Sequence, residues 1–177
     1  MKITNPGIKW GLIYGLLSVV ISVIIWIITP ELMFSFWLPL IFMVIAVIVG
    51  ILVGKERRTQ LGGHITFKQA LQPIFLAFVI SGLISTLYTY LLYNVIDPSL
   101  TEQLKHYSIS TTESMLVKFK APQDKIDEEL DKLAATDFSM TIGKVFMNYL
   151  YSLIFMFFVS CILALIVRKK APVSDFQ

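Results

Sequence analysis

Residues 145–167 read VFMNYLYSLIFMFFVSCILALIV, 23 positions without a charge between Lys144 and Arg168. A helix needs about 20 apolar residues to cross the hydrocarbon core of a bilayer. Inside that core a backbone must satisfy its own hydrogen bonds, which leaves helices and closed barrels. The run lacks two-residue alternation and is far longer than the roughly 9–11 residues of a barrel strand. It reads as a membrane-spanning helix.

Three other runs read the same way. There are 21 uncharged residues between Lys9 and Glu31, 23 between Glu31 and Lys55, and 28 between Lys68 and Asp97. The expected spans are about 10–29, 33–54, 70–96 and 143–167. The bulk numbers agree: of 177 residues, 56% are hydrophobic and 15% charged, with mean hydropathy +0.74. Soluble domains are about 45–50% apolar and about 25% charged. This composition excludes a disordered tail, a disulfide scaffold and an ordinary soluble enzyme. The fold class expected is an all-α integral membrane protein, a single domain over residues 1–177. A lone cysteine, Cys161, sits in an apolar run and forms no internal disulfide.

Local signals refine the spans. The first run is too long for a signal-peptide core and ends in Thr29-Pro30-Glu31, with no small-residue cleavage site, so it reads as a retained helix. Thr29 and Pro30 suit the start of the second helix, and Pro39 predicts a bend near its outer end. Thr66-Phe67-Lys68-Gln69 fits a capping box. Pro73, inside the third helix, predicts a kink and a short amphipathic turn over 66–72.

Lysine and arginine set the orientation. Nine lie on one side: Lys2, Lys9, Lys55, Arg57, Arg58, Lys68, Arg168, Lys169 and Lys170. The first loop has none, and residues 97–144 hold six lysines against nine acids. Both termini are expected in the cytoplasm and residues 97–142 outside it. Trp10 and Tyr14 then fall at the inner interface. Trp26, Trp37, Tyr90, Tyr93, Tyr149 and Tyr151 fall toward the outer one, where amphipathic rings prefer to sit. Topology and attraction to anionic lipid explain the bases better than nucleic acid does, and no nucleic-acid partner is expected.

Small residues recur every four positions: Gly7, Gly11 and Gly15; Ala46, Gly50 and Gly54; Ala77, Ser81 and Ser85. Residues four apart share a helix face, and small side chains let helices approach closely in lipid. These stripes pack the bundle internally or bind another subunit. A second concentration is polar. Tyr88, Tyr93 and Asn94 near the end of the third helix, with Asn148 and Tyr151 near the start of the fourth, suggest an outer aromatic belt or a shallow pocket.

The segment before the last helix is also patterned. Leu100, Leu104, Tyr107, Met115 and Phe119 mark one helical face, and Ser99 to Glu102 fits a second capping box. Ile126, Leu130 and Leu133 mark another, opposite Asp124, Asp127, Glu128, Asp131 and Lys132. Two amphipathic helices over 99–119 and 123–135 are expected as a small extracytoplasmic cap. The cap packs on the bundle, rests on the leaflet, or docks a membrane or periplasmic protein through residues 99–135. Its carboxylates read as a solvated face.

Chemistry is sparse. No acid, lysine, arginine or histidine lies inside the four uncharged runs, which counts against a proton-coupled transporter. His64 and His106 lack partners at ligand spacing, so no metal site is expected. Gly62-Gly63 lacks the strand before it and the Lys-Ser/Thr after it that a phosphate loop requires. No serine has a basic partner for nucleophilic catalysis. No catalytic residue and no cofactor is expected. The leading reading is a non-enzymatic accessory or assembly subunit. A channel or carrier for a neutral or lipophilic solute is second. An enzyme acting on lipid, through Asp97 or His106, is third.

Three stretches together carry a resemblance. They are Gly63-His64-Ile65-Thr66-Phe67-Lys68-Gln69-Ala70 after a basic loop, Tyr93-Asn94-Val95-Ile96-Asp97-Pro98, and the closing Arg168-Lys169-Lys170. With four spans and a long loop before the last, the chain resembles the membrane-protein family catalogued as domain of unknown function 4199, common in Bacteroidota. The resemblance implies a bacterial inner-membrane location. It implies no activity and no functional residues.

Overall fold

The computed structural model describes residues 5–169; Lys2 and Lys170 lie outside the described residues. Six α-helices form: α1 Pro6–Ile28, α2 Trp37–Gln60, α3 Phe67–Leu91, α4 Leu100–Lys118, α5 Gln123–Ala135 and α6 Ile142–Val167. A five-residue 3₁₀ turn, Pro30–Phe34, joins α1 to α2, and a π turn, Leu92–Ile96, extends α3. No strand occurs among the described residues. Four helical stretches are long and apolar enough to cross a membrane: Pro6–Ile28, Trp37–Gln60, Phe67–Ile96 and Ile142–Val167.

The caps explain several boundaries. Asn5 accepts a hydrogen bond from the Gly7 amide, and Pro6 opens α1, where a missing N–H costs nothing. Thr66 and Gln69 form the reciprocal capping box at the start of α3. At the end of α2, Gly62 and Gly63 take positive φ angles of 76° and 94°. Their amides donate to the Thr59 and Arg58 carbonyls, which closes the helix in a left-handed turn that side chains disfavour. Helix α3 runs through Pro73 as one α-helix.

Two local expectations fail. Pro30 opens the separate 3₁₀ turn instead of α2, and the Thr29 side chain makes no cap hydrogen bond. Pro39 sits in the first turn of α2, where its missing N–H has no intrahelical partner to lose. Ser99 adopts helical backbone and caps nothing with its side chain. It donates instead to Asp97 Oδ1 at 2.6 Å, and the Ser99 amide donates to the same oxygen at 3.2 Å. The Asp97 carboxylate, two residues upstream, captures both donors because a charged acceptor makes the stronger hydrogen bond.

Helix α3 is the hub. It packs most extensively on α1, then on α6 and α2, while α1 and α6 hardly touch. The tight core lies toward the end that carries the bases, called the basic end below. There Val49 and Val53 meet Ala70, Ile74 and Ala77 of α3 and Leu163, Ala164 and Val167 of α6. An antiparallel bridge ties that end together: Ile65 and Lys169 exchange amide-to-carbonyl hydrogen bonds of 2.9 and 3.2 Å. At the opposite, loop end, Trp26 Nε1 donates to Asp97 Oδ2 at 3.0 Å and joins α1 to the end of α3.

Helices α4 and α5 form an antiparallel-connected pair. Leu100 and Ile126 are buried, and Tyr107 contacts Phe34 of the 3₁₀ turn at 5.7 Å between ring centroids. The apolar face expected on α4 is not buried along its length. Met115 and Phe119 lie exposed beyond the reach of the bundle, Phe119 at 78%.

Candidate functional site

Helices α1 and α3 meet through their small-residue stripes. A Cβ on Gly7 would lie 2.5 Å from the Pro73 carbonyl oxygen, and one on Gly11 2.9 Å from that of Ala77. Gly15 faces Ser81 in the same register. One turn further on, the glycines end and the contact becomes polar: Ser18 Oγ and Ser85 Oγ lie 2.9 Å apart. On α2, Ala46 is fully buried, Gly50 meets Leu163 and Phe78, and Gly54 meets Val167. All three stripes thus lie inside this chain's own bundle.

Where the stripe turns from glycine to serine, the helices part. A hollow of about 300 Å³ opens among α1, α2, α3 and α6 in the loop-end half of the bundle. Tyr14, Ser18 and Ser22 line it from α1, Phe42 from α2, Ser81, Ser85 and Thr89 from α3, and Ser152 and Met156 from α6. Tyr14 was expected at an interface; it is buried here instead, and its hydroxyl donates to the Phe42 carbonyl at 2.9 Å. The cause is its helix face, since Tyr14 follows Gly7 and Gly11 onto the α3-facing side.

The hydroxyl protons are largely committed. Ser18 donates to the Gly15 carbonyl at 2.8 Å, so Ser85 is the donor of the Ser18 pair. Ser81 donates to Phe78 O and Ser152 to Tyr149 O. Such back-bonding to the preceding turn is how helical serines satisfy themselves in apolar surroundings. The oxygens keep lone pairs, so these groups present acceptors to the hollow. Ser22 and Thr89 make no side-chain hydrogen bond among the described residues and offer both functions. Among the described residues, no carboxylate, lysine, arginine or histidine lines the hollow. Phe42, Phe78, Leu153 and Met156 supply the apolar wall.

The five residues named for an outer belt or pocket do not share one hollow. Asn94 spends its amide on the Tyr90 and Met140 carbonyls, each at 2.9 Å. Tyr88 has a buried hydroxyl without a partner among the described residues. Tyr93 is half-buried. Tyr151 points outward at 63% exposure. Its neighbour Tyr149 turns inward and donates to Val79 O at 3.0 Å. Two helical positions differ by about 200° around the axis, so the two rings cannot share a face. Asn148 alone of the five expected residues lines a shallow hollow of about 260 Å³, whose walls also include Ser85, Thr89 and Ser152. The two hollows therefore adjoin. The signal that could have located them is the serine continuation of the α1 stripe, read together with Ser85 and Thr89.

At the acidic surface, His106 Nε2 lies 3.3 Å from Glu102 on its own helix. Lys144 pairs with Asp137 at 2.6 Å and also donates to the Asp137 carbonyl. That pairing, with the Ser139 amide, holds the Asp137 carboxyl well below the usual carboxylate range. At the basic end, Lys9 pairs with Glu56 at 3.0 Å and Trp10 Nε1 donates to Glu56 Oε2 at 2.7 Å.

The fold and its hollow define a small helical-bundle protein with four helices apolar enough to span a bilayer. The chain belongs to the family described as protein of unknown function (DUF4199), whose model matches residues 9–169. No curated protein and no solved structure matches it.

Proposed function

We propose that this chain is a multi-pass integral membrane protein that acts by non-covalent binding, and that the hydroxyl-lined hollow holds a neutral, partly apolar molecule. The hollow carries the reading. Its volume falls at the lower end of ligand sites, which run about 300–1,000 Å³. A wall of acceptor oxygens and two uncommitted hydroxyls, with no charged group, favours an uncharged ligand bearing hydroxyl or amide donors. The membrane reading rests on the helices' outer faces. Of the residues in the four apolar windows, only 17–33% are buried within the chain. Water solvates such a surface poorly, and lipid does not penalise it. Bacterial inner membrane is the location we assign on the family resemblance, and the distribution of lysine and arginine supports cytoplasmic termini with residues 97–142 outside.

The test is native mass spectrometry of the full chain extracted in mild detergent, compared with a Ser22→Leu/Thr89→Leu variant. A neutral adduct on the wild type that the variant loses is the expected result. The variant should melt no lower than the wild type, because leucine fills the space. A wild type that never carries a neutral adduct would count against the reading.

A second reading is the accessory subunit, docking a partner through residues 99–135. The observation in its favour is the tip of the α4–α5 pair, where Met115, Val117 and Phe119 stand exposed around the turn. Crosslinking from that tip should recover a protein; recovery of lipid alone would sink this reading.

A further inference from the structure

We infer that a hollow at the basic end, between the α2–α3 turn and the end of α6, binds the phosphate of an anionic phospholipid. The hollow measures about 700 Å³. His64, Lys68, Arg168 and Lys169 line it, with Leu61 and Ile65. Its walls are held in place: the double-glycine turn closes α2, the Ile65–Lys169 bridge clamps one side, and the Thr66–Gln69 capping box begins the other.

The charge there is uncompensated. Among the described residues, Lys68, Arg168 and Lys169 make no ion pair. Glu56 is the one described acid at this end, and Lys9 and Trp10 occupy it. The first turn of α3 forms part of the wall, and a helix N-terminus adds positive potential of its own. Basic pockets between spanning helices on the cytoplasmic side suit anionic headgroups.

The lipid is favoured over a free phosphate by what adjoins the cations. Leu165, three residues before Arg168 and so on nearly the same side of α6, is exposed at 57%. A phosphate in the hollow therefore has apolar helix surface beside it, where acyl chains can lie and where a free anion gains nothing. This inference rests on the reading of the four helices as membrane spans.

The experiment delipidates the purified full chain in mild detergent and adds phosphatidylglycerol or phosphatidylcholine, read by native mass spectrometry. Retention of phosphatidylglycerol should exceed that of phosphatidylcholine about tenfold and fall as salt rises. Lys68→Gln/Arg168→Gln should reduce phosphatidylglycerol retention about 25-fold, at about fivefold for each base. Lys55→Gln, outside the hollow, should leave it unchanged. Equal retention of the two lipids by the wild type overturns the site without recourse to any variant. So does a rise in melting temperature with inorganic phosphate that phosphatidylglycerol does not match, which would assign the site to a soluble anion. Recovery of the chain in the soluble fraction after a carbonate wash of membranes would overturn the membrane reading instead. The two failures are thus distinct.

Discussion

Gly11 shows how much one missing methyl group decides. Its Cα faces the backbone of Ala77, and a Cβ there would meet the Ala77 carbonyl at 2.9 Å and its Cα at 3.1 Å. Backbone cannot swing aside as a side chain can. Gly11→Val should therefore cost about 1–3 kcal/mol, the usual range for overpacking, seen as a lower melting temperature in detergent. Leu16→Ala, on the outward face of the same helix, should change it by less than about 0.5 kcal/mol. Lys120 is the converse case. It holds a φ of 55°, and the amides of Lys120 and Ala121 close α4 on the Val117 and Leu116 carbonyls. A lysine there bears the strain that glycine avoids. Lys120→Gly should stabilise the α4–α5 pair by about 1 kcal/mol, and slower amide exchange in α4 is the measurement that checks it.

At the scale of elements, Asp97 is the joint between the bundle and α4. Its carboxylate accepts from the Ser99 hydroxyl, from Trp26 and from the Ser99 amide, and these bonds hold its pKa below the ordinary 3.8. The folded carboxyl thus binds a proton less readily than the unfolded one. Its contribution is complete above 3.8 and is lost as the pH falls through the lower folded value. In a background of Trp10→Phe and Trp37→Phe, the emission of Trp26 should shift in that acidic window. Asp97→Asn should abolish the titration and weaken the joint by about 1 kcal/mol, a figure discounted for solvent screening. A Trp26 signal that titrates identically in the variant would break the link.

At the scale of the whole molecule, the bundle is closed at one end and parted at the other. Glycine and alanine bring α1 onto α3 and α2 onto α6 near the basic end, while serine, threonine and tyrosine hold the helices further apart toward the loop end. This gradient places the neutral hollow in one half and the cationic hollow at the opposite extremity. The topology that we propose makes a direct prediction. In a Cys161→Ala background, Ser110→Cys should react with a membrane-impermeant maleimide added to intact cells, and Thr59→Cys should react only after lysis. The reverse pattern would invert the orientation.

Much of the architecture was legible in the chain alone, because its cause is local. Long uncharged runs set the four apolar helices, Thr66 and Gln69 set the start of α3, and alternating faces marked α4 and α5. The family likeness was legible too, through short stretches such as Gly63 to Ala70. Other features depended on which atom a neighbouring element offered. The Ser99 hydroxyl could accept from the α4 backbone as a cap or donate to a neighbour, and the Asp97 carboxylate decided the outcome. Tyr149 and Tyr151 are equally amphipathic, yet helix phase sends one to Val79 and the other outward. The serine continuation of the α1 stripe marks the polar positions in one dimension, but not the space that opens beside them. Periodicity says which residues share a face, but whether two faces meet or leave space depends on side-chain volumes summed over four helices, and that sum exists only once they are packed.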